Sequence, residues 1–245
     1  METTKPKILL LDLETSPLLS YTWETYETDV VKVVEDWYLL CFGYKWLGEK
    51  SVHVESLKHG RKSEKELVKK LWNIFNEADI IVAHNLVNFD WKKSNAKFIE
   101  YGLTPPRPAK RIDTLKEARK YFKFTSSRLD ALGELLEVGR KVKHPGFEMW
   151  EGFMAGDKKY IKLMEKYNKG DVVLLEKVYL KLRPWMKHPN LNVLTLEDGC
   201  PNCGSLQMQN RGFSITSRGR RRRVQCQSCG AWASGELEEH RALIF

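Results

Sequence analysis

Residues 7–14 read Lys-Ile-Leu-Leu-Leu-Asp-Leu-Glu, an aliphatic run broken by two carboxylates near its end. A continuous apolar stretch this short predicts a buried strand over residues 7–13. Side chains alternate along a strand, so Asp12 and Glu14 leave one face while Leu11 and Leu13 leave the other. Two like charges so placed repel each other and lose solvation, and both pKa values rise unless a cation holds the groups ionised. The plain alternative is a strand end whose acids reach water. The pair alone leaves those two readings even.

A second acid stands where acids are costly. Residues 158–182 predict one long amphipathic helix, in which Met164, Tyr167, Asp171, Leu174, Leu175, Val178 and Leu182 recur at spacings of three and four. Asp171 therefore falls on the buried stripe, and Gly170 beside it permits close backbone approach. A carboxylate in an apolar stripe requires an arginine, a hydrogen-bond network or a metal ion. A third acid closes the segment Ala83-His84-Asn85-Leu86-Val87-Asn88-Phe89-Asp90, just after a short apolar strand predicted over residues 80–83. Taken singly, Asp90 reads as the N-cap of a following helix. His84 reads as a packed or hydrogen-bonding histidine rather than a ligand.

The rest of the chain supplies the frame. Strands are expected at 38–46 and 51–55, joined by a turn at 47–50. Ser63 with Glu66 forms a capping box that opens a helix carrying Leu67, Leu71, Ile74 and Phe75. A helix at 91–101 stops at Gly102, a short strand follows at 111–114, and helices are predicted at 115–121 and 129–136. Residues 138–151 read as irregular. Early strands followed by strands alternating with helices define an α/β chain, a mixed sheet flanked by helices. Helical periodicity ends near Pro189. The boundary is placed between about residues 185 and 198, giving a domain over 1–188 and a linker with a small β-rich module over 189–245. There is no internal repeat.

That module is defined by its cysteines. Cys200-Pro-Asn-Cys203 and Cys226-Gln-Ser-Cys229 are two-residue-spaced pairs, each followed by glycine. The spacing predicts a closed four-thiolate zinc ribbon with one structural Zn²⁺ and no open coordination position. Disulfides are the weaker reading, because no secretory signal precedes them. Cys41, in an apolar run, reads as an ordinary core thiol. Between the pairs lie Arg211, Phe213, Arg218, Arg220, Arg221, Arg222 and Arg223, with no acid among them. A hairpin there presents guanidinium forks to phosphate and an aromatic ring to bases. The whole chain carries 41 Lys and Arg against 32 Asp and Glu, a formal charge of +9, which favours a polyanion partner. No apolar stretch approaches a membrane span, and the chain is expected to be a soluble cytoplasmic protein, in the host cytoplasm if phage-encoded.

Taken together, Asp12-Leu13-Glu14-Thr15, His84-Asn85 through Phe89-Asp90, and Tyr167-Asn168-Lys169-Gly170-Asp171 resemble the three motifs of the DEDD exonucleases. These are the DnaQ-like branch of the RNase H-like fold. Tyr167, four positions before Asp171, looks like the tyrosine subclass; the histidine subclass would place His where this chain has Lys166. With Arg111-Ile112-Asp113-Thr114-Leu115 and the helices around it, the chain is similar to stand-alone RNase H-like 3′–5′ exonuclease domains over roughly residues 5–186. The resemblance implies two Mg²⁺ or Mn²⁺ ions, the first held by Asp12, Glu14 and Asp171, with Asp12 bridging to the second and Asp90 supporting that second ion. It implies that Tyr167 orients the attacking water together with Glu14, and that Asn85 lies along the nucleic acid. Asp113 reads as a supporting or structural acid. The expected substrate is nucleic acid, single-stranded or at 3′ ends, DNA more than RNA, with a polymerase or another replication or repair protein as a partner. Two rivals remain at this point. One is a structure-specific endonuclease of the same fold; the other is a non-catalytic adaptor, whose hallmark would be a missing carboxylate.

Overall fold

The computed structural model describes residues 5–26, 28–58, 60–192 and 198–239. Two compact units divide the chain, one over residues 7–179 and a second from Leu180 onward.

The larger unit is built on a five-stranded sheet. Its strands are β1 (Ile8–Thr15), β4 (Leu39–Trp46), β5 (His53–Ser56), β6 (Ile80–Ala83) and β7 (Lys110–Asp113). They lie in the order β5-β4-β1-β6-β7, with β1–β4 and β4–β5 antiparallel and β1–β6 and β6–β7 parallel. Central β1 is covered on both faces, which is why it reads as a continuous aliphatic run. In the antiparallel half a short turn joins β4 to β5, while β1 reaches β4 through residues 16–38. The parallel half needs helical crossovers, here α1 (Glu64–Glu77) and α2 (Asp90–Glu100). Leu9, Leu11, Leu13, Phe42, Leu71, Phe75 and Ile81 form the packed interior. Further helices are α3 (Thr114–Tyr121), α4 (Leu129–Leu135), α5 (Glu148–Met154) and α6 (Lys158–Leu182). The change of unit falls within α6.

Several expectations meet corrections. The capping box at Ser63 does not form: its hydroxyl donates to the carbonyl of Gly60 at 3.0 Å and makes no cap bond. The buried Glu64 instead accepts from the backbone of Leu39 at 2.7 Å, tying α1 to the sheet. Residues 138–151 are not wholly irregular, because α5 begins at Glu148 and buries Met149 and Phe153. β2 (Leu19–Tyr21) and β3 (Lys32–Glu35) pair as a separate ribbon that sequence patterning did not reveal. Leu19, Tyr21, Val33 and Val34 are exposed there, so no buried face imposes alternation.

The second unit holds the end of α6, a 3₁₀ turn at Arg183–Trp185, and an antiparallel sheet. The sheet comprises β8 (Met208–Thr216), β9 (Gly219–Cys226) and β10 (Trp232–Glu239), in the order β10-β9-β8. Its own buried apolar cluster is Cys200, Cys226 and Ala231, with Cys203, Met208 and Cys229 packed against it.

Candidate active site

Three of the predicted acids meet. One carboxylate oxygen from each of Asp12, Glu14 and Asp171 lies within 4.8 Å of the other two. Asp12 and Glu14 leave the same face of β1, as the alternation requires, opposite Gly43 and Cys41 of β4. Asp171 comes from α6 and is 1% exposed.

Two glycines make room for this meeting. A Cβ on Gly43 would stand 2.4 Å from Asn168 Oδ1, so only glycine on β4 lets Asn168 in. Asn168 Nδ2 then donates to the Asp12 carboxylate at 2.7 Å and to the Asp12 carbonyl at 3.1 Å. A Cβ on Gly170 would stand 2.7 Å from Val142, so this glycine lets the segment before α5 cross the helix closely. That crossing delivers Lys141. Its ammonium donates to Asp171 Oδ2 at 2.6 Å and to the Tyr167 hydroxyl at 2.8 Å. Lys141 is the residue that sequence reasoning missed. It lies in a stretch without periodicity, and only Gly170 hinted that a backbone passes there.

The electrostatics follow from this crowding. Burial and the neighbouring Asp171 push the Asp12 carboxyl up to about 7, against the pull of Lys141 and Asn168. Burial, then Asp12 and Asp171, hold Glu14 well above the usual carboxylate range. Burial raises Asp171, with Lys141 opposing it. Burial pulls the Lys141 pKa down, but Asp171 and Tyr167 outweigh it and hold the group above the ordinary lysine value. Burial and Asp171 push the Tyr167 phenol up to about 12, so it remains a hydroxyl donor at neutral pH. Lys141 faces one oxygen of Asp171; the other, Oδ1, is buried without a hydrogen-bond partner. Three clustered acids, one lysine and an unpaired buried carboxylate oxygen fit a site for hard divalent cations.

Asp90 takes a different place from the N-cap expected of it alone. It is the first residue of α2 rather than its cap, and it is 2% exposed. Its Oδ1 accepts from the backbone of Leu13 at 3.1 Å. Burial and the Asp12 charge raise its pKa. It stands next to the acidic set without belonging to the closest trio. Asp113 is structural: it accepts from the backbone of Asn85 and Val87 at 3.0 Å each, and from Leu115 and Lys116 at the start of α3. Asn85 adopts a left-handed backbone, φ 71°, which asparagine tolerates better than most residues. His84 is neutral and packed, with its pKa lowered to about 4 by burial and Nδ1 2.9 Å from the Thr114 hydroxyl. Cys41 is a fully buried core thiol.

The four remaining cysteines cluster as the second unit's own site. None of them is in a disulfide. Cys200 and Cys229 sulfurs lie 3.8 Å apart, and Cys203 and Cys226 lie 3.7 Å apart. A tetrahedron with Zn–S of about 2.3 Å has an edge of about 3.8 Å. The sulfurs therefore already stand at zinc spacing. Gly204 (φ 75°) and Gly230 (φ 76°) turn the chain back under each pair. Burial opposes ionisation of Cys226, but backbone hydrogen bonds from Cys229 and Ser228 bring it down to about 7.

The arginine-rich segment forms the expected hairpin, with Arg211 and Phe213 on β8, Arg218 in the turn and Arg220, Arg221, Arg222 and Arg223 on β9. The segment contains no acid, yet β10 brings one across. Glu238 pairs with Arg220 at 2.8 Å and reaches Arg222 at 4.0 Å. Arg220 also lies over the Phe213 ring, 4.2 Å from its centroid.

A mixed sheet of this order, with acids converging from its central strand and a long helix, is the architecture of RNase H-like proteins. Residues 10–183 match the RNase H superfamily, and the chain belongs to it. It is also similar to a DNA polymerase III PolC-type from Ureaplasma parvum serovar 3, 28% identical over 123 residues. That match covers 50% of this chain and 8% of the polymerase. Membership of the superfamily supports a nuclease-type hydrolase. Among the described residues, no helix is long and apolar enough to cross a membrane.

Proposed function

We propose that this chain is a metal-dependent 3′–5′ exonuclease, of the tyrosine subclass of DEDD enzymes, that hydrolyses phosphodiester bonds of nucleic acid. The observation that carries the reading is the meeting of Asp12, Glu14 and Asp171 beside Tyr167, with a buried Asp171 oxygen left without a hydrogen-bond partner. Asp12, Glu14 and Asp171 would hold Mg²⁺ or Mn²⁺, with Asp90 in support; a bound pair of such ions supplies a clamp on the attacking and leaving oxygens of the phosphodiester.

The protein's own groups do the positioning. Asn168 fixes the Asp12 carboxylate in one orientation. Lys141 holds the Tyr167 hydroxyl in place and offsets part of the negative charge of Asp171. The Tyr167 phenol, kept protonated, donates a hydrogen bond that orients the attacking water, and Glu14 accepts from that water. The four cysteines hold a structural Zn²⁺ in the region from 189 onward, and the arginine hairpin contacts phosphate. The likeness to a DNA polymerase III PolC-type supports DNA over RNA and a replication or repair partner.

Single-stranded DNA labelled at its 5′ end tests this directly. Incubation with Mg²⁺ is expected to yield a ladder shortening from the 3′ end, while a covalently closed single-stranded circle stays whole. Scission of the circle would make the protein an endonuclease. Cleavage of no DNA or RNA substrate would remove the nuclease reading.

A further inference from the structure

The second unit carries a cleft of about 700 Å³ that neither the acidic site nor the arginine hairpin accounts for. Lys181, Arg183, Trp185, Gln225, Ser228 and Trp232 are among the residues that line it, and none of its lining residues is acidic. Two of these are indoles with much of their surface in solvent, Trp185 71% exposed and Trp232 57% exposed. Large apolar surfaces left in water, with cations around them, mark a binding surface more than a packing face.

Both indoles rest on fixed supports. Trp232 begins β10 and pairs in register with Gln225 of β9. Trp185 ends the 3₁₀ turn, which Asn202 pins by donating to the Arg183 carbonyl at 2.8 Å. Side chains alternate on β9, so Gln225 leaves the face opposite Arg220 and Arg222, on the same side as Arg223. The cleft is therefore not the surface where Arg220 and Arg222 meet Glu238.

We propose that this cleft holds single-stranded nucleic acid, with bases stacked on Trp185 and Trp232 and phosphates met by Lys181. Flat π-surfaces accept any base, ammonium and guanidinium groups neutralise phosphate, and Gln225 and Ser228 offer hydrogen bonds to base edges. A duplex offers no free base faces, so the ligand class is a single strand. The inference deepens the nuclease reading and rests on it for the identity of the polyanion. The cleft also borders Cys203 and Cys229, which makes its shape dependent on the zinc site.

The test uses the full zinc-loaded chain, with Ca²⁺ replacing Mg²⁺ to suppress turnover, and a fluorescein-labelled oligothymidylate followed by anisotropy across a salt series. Trp185→Leu and Trp232→Leu are each expected to weaken binding on the order of tenfold, with the slope of log K against log salt unchanged. Trp185→Phe and Trp232→Phe should keep most of the affinity, and wild-type tryptophan emission should fall on binding. Wild-type affinity in both leucine variants would overturn the proposal, as would equal competition by duplex of the same length. If Trp232→Leu loses zinc, Trp185→Leu decides alone. Self-association lost in Trp185→Leu, with oligonucleotide binding intact, would give the cleft to a second copy of the chain. Failure of the wild type to bind or cut any nucleic acid would sink the nuclease reading itself, whereas cleavage with tryptophan-independent binding would sink only the cleft.

Discussion

The two clusters of metal-binding residue types are assembled in opposite ways. Asp12 and Asp171 are brought together by the packing of a helix on a five-stranded sheet, over a large apolar interior that needs no ion. Cys200, Cys203, Cys226 and Cys229 sit on tight turns, and Cys200 and Cys226 themselves form a small buried cluster with Ala231. The first site is a consequence of the fold. In the second, the fold is expected to depend on the site, because so small an apolar cluster among the described residues offsets little of the entropy of ordering the chain.

Zinc removal should break this symmetry most visibly. Zinc binding in small modules supplies on the order of 10 kcal/mol of folding free energy. Chelation, or Cys226→Ser, is expected to unfold β8, β9 and β10 while the sheet over residues 8–113 stays protected. Amide hydrogen exchange resolved by region checks this; retained protection in the ribbon would put its stability elsewhere. Next in size, Asp171→Asn should lower the cleavage rate about a thousandfold, since a ligand and a charge leave together. Its melting temperature should hold or rise, because a repelling buried charge is gone. A rate close to wild type in pure protein would take Asp171 out of the chemistry.

Lys141→Met gives a smaller and more diagnostic effect. The lysine side chain is 33% exposed and its partner Asp171 1% exposed, so the pair is only partly screened. Its loss should cost about 1–2 kcal/mol in metal-free protein, below the figure for a fully buried pair. Calorimetry with Mn²⁺ present should show that cost shrink, because a bound cation replaces the missing positive charge. An equal cost with and without Mn²⁺ would mean that Lys141 serves packing alone.

Much of the acidic site was legible because alternation on a strand and a spacing of three and four on a helix are rigid rules. They put Asp12 and Glu14 on one face and Asp171 in the buried stripe, as found. Lys141 and Asn168 were not legible in their roles. Both act through long-range approach, permitted by Gly170 and Gly43, and no local pattern encodes which segment fills the room a glycine leaves. Asp113 shows the converse. Its acid is buried like Asp171 and Asp90, but four backbone N–H groups satisfy it, and sequence alone cannot tell a satisfied carboxylate from an unsatisfied one. The ribbon was legible from cysteine spacing. Glu238 was not tied to the arginines, because it lies on a strand outside the cysteine-bounded segment.

The subtlest distinction is in pH. The Asp12 carboxyl titrates near 7 in the folded chain and near about 4 when unfolded. The folded state thus binds the extra proton between those values, and metal-free stability falls as pH rises through that window, then levels off. Melting of the metal-free protein should show this decline, to which the raised Glu14, Asp90 and Asp171 add in the same direction. Saturating Mg²⁺ should flatten it, and Asp12→Asn should make it shallower. A metal-free profile that rises toward pH 7 would contradict the assigned environment of Asp12.

The most direct measurement is a count of bound Mn²⁺ by electron paramagnetic resonance in zinc-loaded chain, with Asp12→Asn as the comparison. Two ions are expected in the wild type, and a loss of both tight sites in the variant, since Asp12 is the acid expected to bridge the two ions. Equal Mn²⁺ binding by the two proteins would show that the carboxylates of β1 and α6 do not form a cation site.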